Sequence, residues 1–158
     1  MEIAATGGGV LLLAYHYSGS TPDLDSIIRS SEDAGAELSL VVDEVASDYG
    51  FGPRWLNESV GNKVPAARIL GTVDRRETFG KNLTVGYVSE EFLLASKCQA
   101  ARDKDIPQVT YLLRSTGMTD ASVIIRATMK HFPEKNNPVD CEHIEAFIDE
   151  CLWGVRGW

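Results

Sequence analysis

The sequence predicts an α+β fold in which a small mixed β-sheet is followed by a helical C-terminal half. Two observations lead to this prediction. Short apolar segments separated by glycine, serine and proline are concentrated before residue 89, as is typical of strands and turns. After that point the apolar residues recur at helical spacing between capping residues and stop signals. At 158 residues the chain is expected to form a single domain over 1–158, with a sheet-containing half at 1–88 and a helical half at 89–158.

The N-terminal half begins with a strand, a glycine-rich turn and an apolar helix. Three glycines in a row permit the backbone angles that a tight turn requires, because they have no side chain. On the next strand, Asp23 and Asp25 point to the same face, since strand side chains alternate. The predicted order is strand Glu2–Thr6, turn Gly7–Gly9, helix Val10–Tyr17, turn Ser18–Pro22 and strand Asp23–Ile28.

A long amphipathic helix is predicted next, over Ser31–Asp48. Leu38, Val41, Val42 and Val45 follow the i, i+3, i+4, i+7 spacing of one helix face. The segments after it are short and of mixed composition. We expect a turn at Gly50–Pro53, a short helical segment at Trp55–Asn57, a loop over Gly61–Gly80 that includes a short strand at Ala67–Leu70, and a strand at Asn82–Val88.

Four helices are predicted in the C-terminal half. Each begins at a serine, threonine or aspartate, whose side chain can accept a hydrogen bond from a free backbone N–H group. Pro107 lies in the first turn of the second helix, where its missing N–H group has no cost. The expected helices run from Ser89 to about Arg102, from Asp105 to Gly117, from Thr119 to Phe132 and from Asp140 onward.

Composition and charge argue against several classes of function. The chain has 15 basic and 23 acidic residues and a formal net charge of −8. We therefore do not expect non-specific DNA binding, which needs a positive surface against the phosphates. No apolar run approaches the roughly 20 residues of a membrane span, so no membrane association is expected. Three cysteines in a chain of this length are typical of a reduced, cytoplasmic protein.

The main chemical indication is a glycine turn followed by an Asp-x-Asp segment. The turn at Gly7–Gly9 offers backbone N–H groups to a phosphate. The carboxylates of Asp23 and Asp25 can converge on one Mg²⁺ ion, which in proteins takes one or two carboxylates together with phosphate oxygens and water. An alternative is that the two aspartates are ordinary turn and strand-edge residues on a solvated face.

These segments resemble a known family. Gly7–Gly9 and Ser20–Asp25 are similar to the Gly-Gly/Ser and Asp-x-Asp signature of the minimal nucleotidyltransferase fold. The sequence resembles in particular the uncharacterised bacterial proteins related to the AbiEii-type toxins of toxin–antitoxin and abortive-infection systems. Tyr49-Gly50 and Trp55–Asn57 extend the resemblance, as does Phe92–Asp105, a leucine-rich helix that carries a lysine and then Ala-x-Arg-x-Lys-Asp. Together these segments span most of residues 3–117.

The resemblance implies a nucleotidyltransferase-like fold and Mg²⁺-dependent transfer of a nucleotidyl group from a nucleoside triphosphate to RNA or protein. It implies that Asp23 and Asp25 bind the metal and that these two aspartates and Lys97 are catalytic. The nucleotide-binding residues that it implies are Gly8, Gly9, Lys97, Arg102 and Lys104.

Two departures from the family pattern leave an alternative function open. Active members of the fold usually carry a third carboxylate on a later strand, but Leu83–Val88 contains none. Gly19 and Ser20 stand where a basic residue often precedes the Asp-x-Asp segment. The alternative is a catalytically inactive relative that acts by protein–protein contact, as an antitoxin-like module.

Several candidate residues also have a structural interpretation. Lys97 lies in an apolar helix and needs a partner, because an unpaired buried charge is costly. A salt bridge from Lys97 to Asp23 or Asp25 would supply one, and Arg102–Asp105 could be a solvated helix junction. Trp153 and Trp158 follow an amphipathic helix and favour an interface in a homodimer or with a partner protein.

Overall fold

The computed structural model describes residues 1–156 and shows the α+β fold that the sequence predicts. In these residues a five-stranded mixed sheet lies in the N-terminal half, and four of the seven α-helices follow it. The chain forms two compact units, Met1–Ser89 and Glu90–Trp158. We call them the sheet unit and the helical unit.

The sheet unit contains all five strands. They are β1 (Glu2–Thr6), β2 (Leu24–Arg29), β3 (Leu56–Asn57), β4 (Val73–Phe79) and β5 (Leu83–Val88). Their order in the sheet is β3-β2-β1-β5-β4. β1 is antiparallel to β2 and parallel to β5, β2 is parallel to β3, and β4 is antiparallel to β5. The central position of β1 explains its almost wholly buried Ile3, Ala4 and Ala5, since both of its edges are paired.

Three α-helices belong to the sheet unit, namely α1 (Gly7–Leu13), α2 (Glu32–Tyr49) and α3 (Ala66–Leu70). α1 follows β1 without a loop because Gly7 has a φ of +71°, a left-handed angle that turns the chain. The predicted start of this helix at Val10 is therefore wrong, since the glycines form its first turn. Its predicted end at Tyr17 is also wrong, since the helix ends at Leu13. The prediction of α2 is confirmed: the Ser31 hydroxyl accepts a hydrogen bond from the Ala34 N–H group, and Gly50 ends the helix.

Two short predicted segments have the wrong secondary structure. Trp55–Asn57, predicted as helical, contains β3 and pairs with β2. Ala67–Leu70, predicted as a strand, lies in α3, which follows Pro65. Short apolar runs do not distinguish a strand from a helix by their periodicity. At the second segment, proline and the two alanines after it favour a helical start.

The outermost strand, β4, lies inside the predicted loop Gly61–Gly80 and was not predicted. It carries charged residues that are more typical of loops, but charge is common on the edge strands of sheets. The Arg75 guanidinium lies 5.7 Å from the centre of the Tyr87 ring on β5 and pairs with Glu77 at 2.6 Å. The contact between Arg75 and Tyr87 joins the charged strand to its neighbour, whereas the Arg75–Glu77 ion pair lies within β4.

The helical unit contains α4 (Glu90–Ala100), α5 (Ile106–Thr116), α6 (Ala121–His131) and α7 (Pro138–Arg156). All four predicted helices are present, although two of their starts differ. Asp105 precedes α5 as predicted, but its side chain makes no capping hydrogen bond. Asp120 caps α6 by accepting a hydrogen bond from the Ser122 N–H group, so Thr119 is not the cap. α7 begins at Pro138, which places Asp140 in its first turn.

The core of the helical unit is formed by the apolar helix faces that the sequence predicts. Phe92 of α4 stacks on Phe132 with ring centres 5.8 Å apart, and Ile144 and Ile148 of α7 are buried. Trp153 of α7 is 80% exposed, and its role at an interface stays a prediction. Trp158, the second tryptophan of that prediction, lies outside the described residues.

Candidate functional site

Three segments of the sheet unit meet at one end of the sheet. Thr6, the last residue of β1, is in register with Asp25 of β2, and Asp25 is in register with Asn57 of β3. α1 starts at Gly7, directly after Thr6. The glycine turn and the Asp-x-Asp segment are therefore neighbours in space.

The carboxylate of Asp25 lies against Gly7. A Cβ atom at residue 7 would come within 2.7 Å of Asp25 Oδ2, so glycine leaves the room that this carboxylate uses. On its other side, the Ser59 hydroxyl oxygen lies 3.3 Å from Asp25 Oδ1 and 2.5 Å from Asn57 Oδ1. A hydroxyl has one proton and donates to one of these oxygens at a time. Asp25 is thus held between the start of α1 and the segment after β3.

Asp23 lies one residue before β2 and is held by a local turn. The Thr21 hydroxyl donates to the main-chain oxygen of Asp23 at 3.2 Å and lies 3.3 Å from its Oδ1 atom. Within residues 1–156, the Oδ2 atom of Asp23 has no hydrogen-bond partner. This oxygen is therefore available to a ligand.

An open cleft lies beside Asp23. One part has a volume of ≈ 270 Å³ and is mainly apolar, and the neighbouring part has a volume of ≈ 440 Å³ and is more polar. Asp23 lines both parts together with Pro22 and Trp55, so it stands where the two environments meet. The remaining lining residues are Gly9, Leu12, Leu13, Thr21, Leu24 and Phe51 in the apolar part, and Gly52, Pro53, Arg54, Asn57 and Ser59 in the polar part.

Trp55 forms a fixed aromatic wall of this cleft. Its indole N–H group donates to the carbonyl oxygen of Val42 in α2 at 3.0 Å. Its ring centre lies 5.6 Å from that of Phe51, which in turn stacks on Tyr49 at 6.0 Å. Aromatic surfaces next to a polar compartment suit a ligand that has both a planar ring and a charged group.

The predicted phosphate-binding glycines lie in the first turn of α1. Gly9 is buried, and a Cβ atom there would come within 2.5 Å of Leu24 Cδ1. The absence of a side chain at residue 9 therefore lets Leu24 of β2 pack against α1. Gly8 is half-buried. Contact of Gly8 and Gly9 with a triphosphate stays a prediction, while the packing of Leu24 is a structural reason for glycine at residue 9.

Mg²⁺ binding at this end of the sheet stays a prediction, for which the structure supplies oxygen ligands of a suitable kind. Asp23 and Asp25 supply carboxylates, and the nearby Asn57 and Ser59 supply neutral oxygens. Mg²⁺ prefers oxygen ligands and usually keeps several positions for water and phosphate. Within residues 1–156, no group of three or more His, Cys, Asp or Glu side chains could hold a metal ion. An Mg²⁺ ion at this place would therefore need water or phosphate oxygens to complete its coordination shell.

Lys97 is a buried cation of the helical unit, with a side chain that is 6% exposed. Its Nζ atom lies 3.1 Å from Asp105 Oδ1, and Arg102 Nε donates to Asp105 Oδ2 at 2.5 Å. Burial lowers the pKa of Lys97, and the Asp105 carboxylate opposes this effect. Burial alone would raise the pKa of Asp105, but the hydrogen bond from Arg102 and the charge of Lys97 hold it below its usual value.

The Lys97–Asp105 pair has a structural role. Asp105 directly precedes α5, so the pair fastens the end of α4 to the start of α5. The buried charge of Lys97 is therefore balanced within the helical unit, without a phosphate. Arg102 keeps a half-exposed side chain, and Lys104 is exposed to solvent. The roles of Lys97, Arg102 and Lys104 in binding a nucleotide stay predictions.

Sequence reasoning missed three polar residues of the cleft, namely Arg54, Asn57 and Ser59. The predicted helical segment at Trp55–Asn57 hid the register between Asn57 and Asp25. β3 has only the two residues Leu56 and Asn57, which is too short for an alternating pattern to indicate this register.

Comparison of the chain with protein-family models, with curated proteins and with solved structures gives no match in any of the three. Among the helices of residues 1–156, none combines the length and the apolar composition that crossing a membrane requires. The interpretation of the site therefore rests on its geometry and on the resemblance of its sequence motifs.

Replacing Gly7 by alanine should lower the free energy of unfolding by about 3 kcal/mol, since a left-handed φ and the contact with Asp25 both oppose a side chain. Gly80→Ala is the matched control, because Gly80 has a φ of +60° and a Cβ atom there would meet nothing within 4 Å. Urea unfolding measures both variants. Equal losses would contradict the close contact between Gly7 and Asp25.

Replacing Lys97 by methionine should lower the free energy of unfolding by about 3 kcal/mol, because it removes one partner of a buried ion pair. The exposed Lys104 is the control, and Lys104→Met should change stability by less than about 0.5 kcal/mol. Chemical denaturation distinguishes the two variants. A Lys97→Met protein as stable as the wild type would refute the structural role of this pair.

The lowered pKa of Asp105 predicts a loss of stability in acid. A carboxylate with a depressed folded-state pKa contributes fully above its unfolded-state pKa of about 3.9, and this contribution disappears as the pH falls through the folded-state value. Asp105→Asn should therefore be less stable than the wild type near neutral pH and should lose less stability on acidification. Unfolding curves at a series of pH values measure this difference, with the exposed Asp103→Asn as a control that should follow the wild type.

Proposed function

We propose that the sheet unit binds a nucleoside triphosphate together with Mg²⁺ and that the protein is nucleotidyltransferase-like. The observation that carries this proposal is the Asp25 carboxylate seated against Gly7, beside a cleft that Asp23 lines. Two carboxylates next to a glycine turn are a suitable setting for a metal ion that carries phosphates. The resemblance of Gly7–Gly9 and Ser20–Asp25 to the nucleotidyltransferase signature supports the same conclusion.

In this proposal Asp23 and Asp25 hold the metal ion. When bound, Mg²⁺ neutralises negative charge on the phosphate oxygens. An acceptor hydroxyl attacks the α-phosphorus, the bond to the β-phosphate oxygen breaks, pyrophosphate leaves, and the hydroxyl proton passes to solvent. Positioning and electrostatics supply most of the catalysis of such transfers, and in this proposal the fixed carboxylate of Asp25 contributes to both.

The two parts of the cleft suit the two ends of a nucleotide. Arg54 and Asn57 line the polar part, where a cation and an amide can meet phosphate or ribose oxygens. Phe51 and Trp55 line the apolar part, which offers aromatic faces to a base. Asp23 lies between them, where the phosphates of a nucleotide bound across both parts would begin.

We extend the proposal to a cytoplasmic toxin–antitoxin or defence protein whose acceptor is RNA or another protein. This extension is supported by the resemblance of Ser20–Asp25 and Phe92–Asp105 to the AbiEii-related proteins. The net charge of −8 favours a protein acceptor or a locally recognised RNA over broad binding to nucleic acid.

A second candidate is a catalytically inactive interaction module that works as a homodimer or with a partner protein. Within residues 1–156, no third acidic side chain completes a metal cluster with Asp23 and Asp25. Trp153 is 80% exposed, and a large exposed aromatic residue is favoured at protein interfaces. These two observations support an antitoxin-like role.

Thermal melting with each nucleoside triphosphate, with and without Mg²⁺, tests the proposal. A ligand at 100 times its dissociation constant adds about 2.7 kcal/mol of stability. In a protein of this size that corresponds to a rise in Tm on the order of 5–10 °C. Asp23→Asn should abolish the Mg²⁺-dependent rise while its Tm without nucleotide stays close to that of the wild type, because Asp23 is held only by a local turn.

Asp43→Asn is the matched control, since it removes an exposed carboxylate of the same unit and should keep the full rise in Tm. Transfer of label from an α-labelled nucleotide, with release of pyrophosphate, then separates an active enzyme from a binding protein. A protein that no nucleotide stabilises, or an equal rise in Asp23→Asn, would overturn the proposed site and favour the interaction module.

A further inference from the structure

α2 is an 18-residue helix in which no residue is buried. One side of it is half-buried and carries Leu38, Val42 and Val45. The other side is open to water, and Leu40 is 71% exposed there. A single exposed leucine is common on protein surfaces, so a partner is indicated only by Leu40 together with the charges that surround it.

Helical spacing gathers four residues around Leu40. Residues three and four positions away on a helix are neighbours on its surface, and for Leu40 they are Ala36, Glu37, Asp43 and Glu44. All four are exposed. We call these five residues the outer face of α2, which is an apolar centre surrounded by three carboxylates.

The charge of α2 has a single sign. The helix contains six acidic residues and no lysine, arginine or histidine. In the part of the chain that the structure describes, none of the six carboxylates forms an ion pair. The six residues are Glu32, Asp33, Glu37, Asp43, Glu44 and Asp48.

The negative charge of α2 determines which kind of partner the outer face can bind. A second copy of the chain would bring the acidic ring of one α2 against that of the other, and such like-charge contacts are unfavourable. A nucleic acid would meet the same repulsion from its phosphates. A helix with an apolar stripe flanked by lysine or arginine complements both the leucine and the carboxylates.

We propose that the outer face of α2 binds a basic amphipathic helix of a different protein. An apolar side chain of that helix covers Leu40, and its flanking cations pair with Glu37, Asp43 and Glu44. The outer face does not line the cleft beside Asp23, so this interaction is independent of nucleotide binding.

Three synthetic helical peptides test the proposal. They share one leucine stripe and carry lysine, glutamine or glutamate on its flanks, and fluorescence anisotropy gives their dissociation constants for the full chain. The lysine peptide should bind tightest and the glutamate peptide weakest. Because the pairs are exposed, the affinity for the lysine peptide should fall as the salt concentration rises.

Charge reversal on α2 makes the test specific. Glu37→Lys combined with Glu44→Lys should weaken the binding of the lysine peptide about tenfold and should strengthen the binding of the glutamate peptide. Leu40→Ala should weaken the binding of all three peptides. Glu142→Lys combined with Asp149→Lys on α7 is the matched control, because it reverses two exposed carboxylates that are also seven residues apart. It should leave each affinity within about twofold of the wild type. Circular dichroism confirms that every variant is folded.

Three outcomes would overturn the proposal. The first is the absence of binding by the lysine peptide, and the second is an equal loss in the α7 control, which would indicate general attraction to an acidic protein. The third is a dimer that depends on Leu40 in sedimentation experiments, which would make a second copy the occupant. Nucleotide-dependent melting of the same variants should match the wild type, so a failure of the proposed nucleotide site is observed separately.

Discussion

The carboxylate of Asp25 occupies the space into which a side chain at residue 7 would project, and the architecture of the sheet unit depends on this close contact. It requires glycine at residue 7, where the chain also turns from β1 into α1 with a left-handed φ. It also sets the end of the sheet, because Asp25 is in register with Thr6 on one side and Asn57 on the other. This contact therefore places the glycine turn beside Asp25 at this end of the sheet.

The chain uses two of its aspartates in different ways. Asp105 is buried between Lys97 and Arg102, so its charge is balanced by fixed cations and serves the packing of two helices. Asp23 lies at the border of an open cleft, with a hydroxyl on one carboxylate oxygen and no hydrogen-bond partner on the other within the described residues. Burial with cations thus makes an aspartate structural, whereas partial exposure beside a cleft leaves its charge available to a ligand.

Most of the fold could be predicted because its longer elements have strong local signals. α2 has a clear apolar spacing, a serine cap and a terminal glycine, and α5 has a proline in its first turn and Gly117 at its end. β3 and β4 could not be predicted in the same way. β3 has two residues and exists only through pairing with β2, and β4 is stabilised by contacts with β5 that its charged sequence does not indicate.

The parts of the candidate site that are formed by residues close in sequence could be predicted. The parts that depend on pairing between distant strands could not. The proximity of the glycine turn to Asp25 follows from a strand–helix–strand order, which the sequence indicates. The contribution of Asn57 and Ser59 depends on the register of β3, and the sequence does not indicate this register. The partner of Lys97 was sought at Asp23 or Asp25, because a spacing of eight residues across a helix junction gives no local signal for the pairing with Asp105.

The strand order leaves β4 at one end of the sheet, with β5 on a single side. A terminal strand presents a row of backbone donors and acceptors that can recruit strands from other molecules and begin aggregation. This edge strand carries the charged residues Arg75, Arg76 and Glu77. Hydrated charges are unfavourable in the dry interfaces between the sheets of a fibril. The mixed charge that made β4 resemble a loop in sequence thus also opposes the addition of further strands at this edge of the sheet.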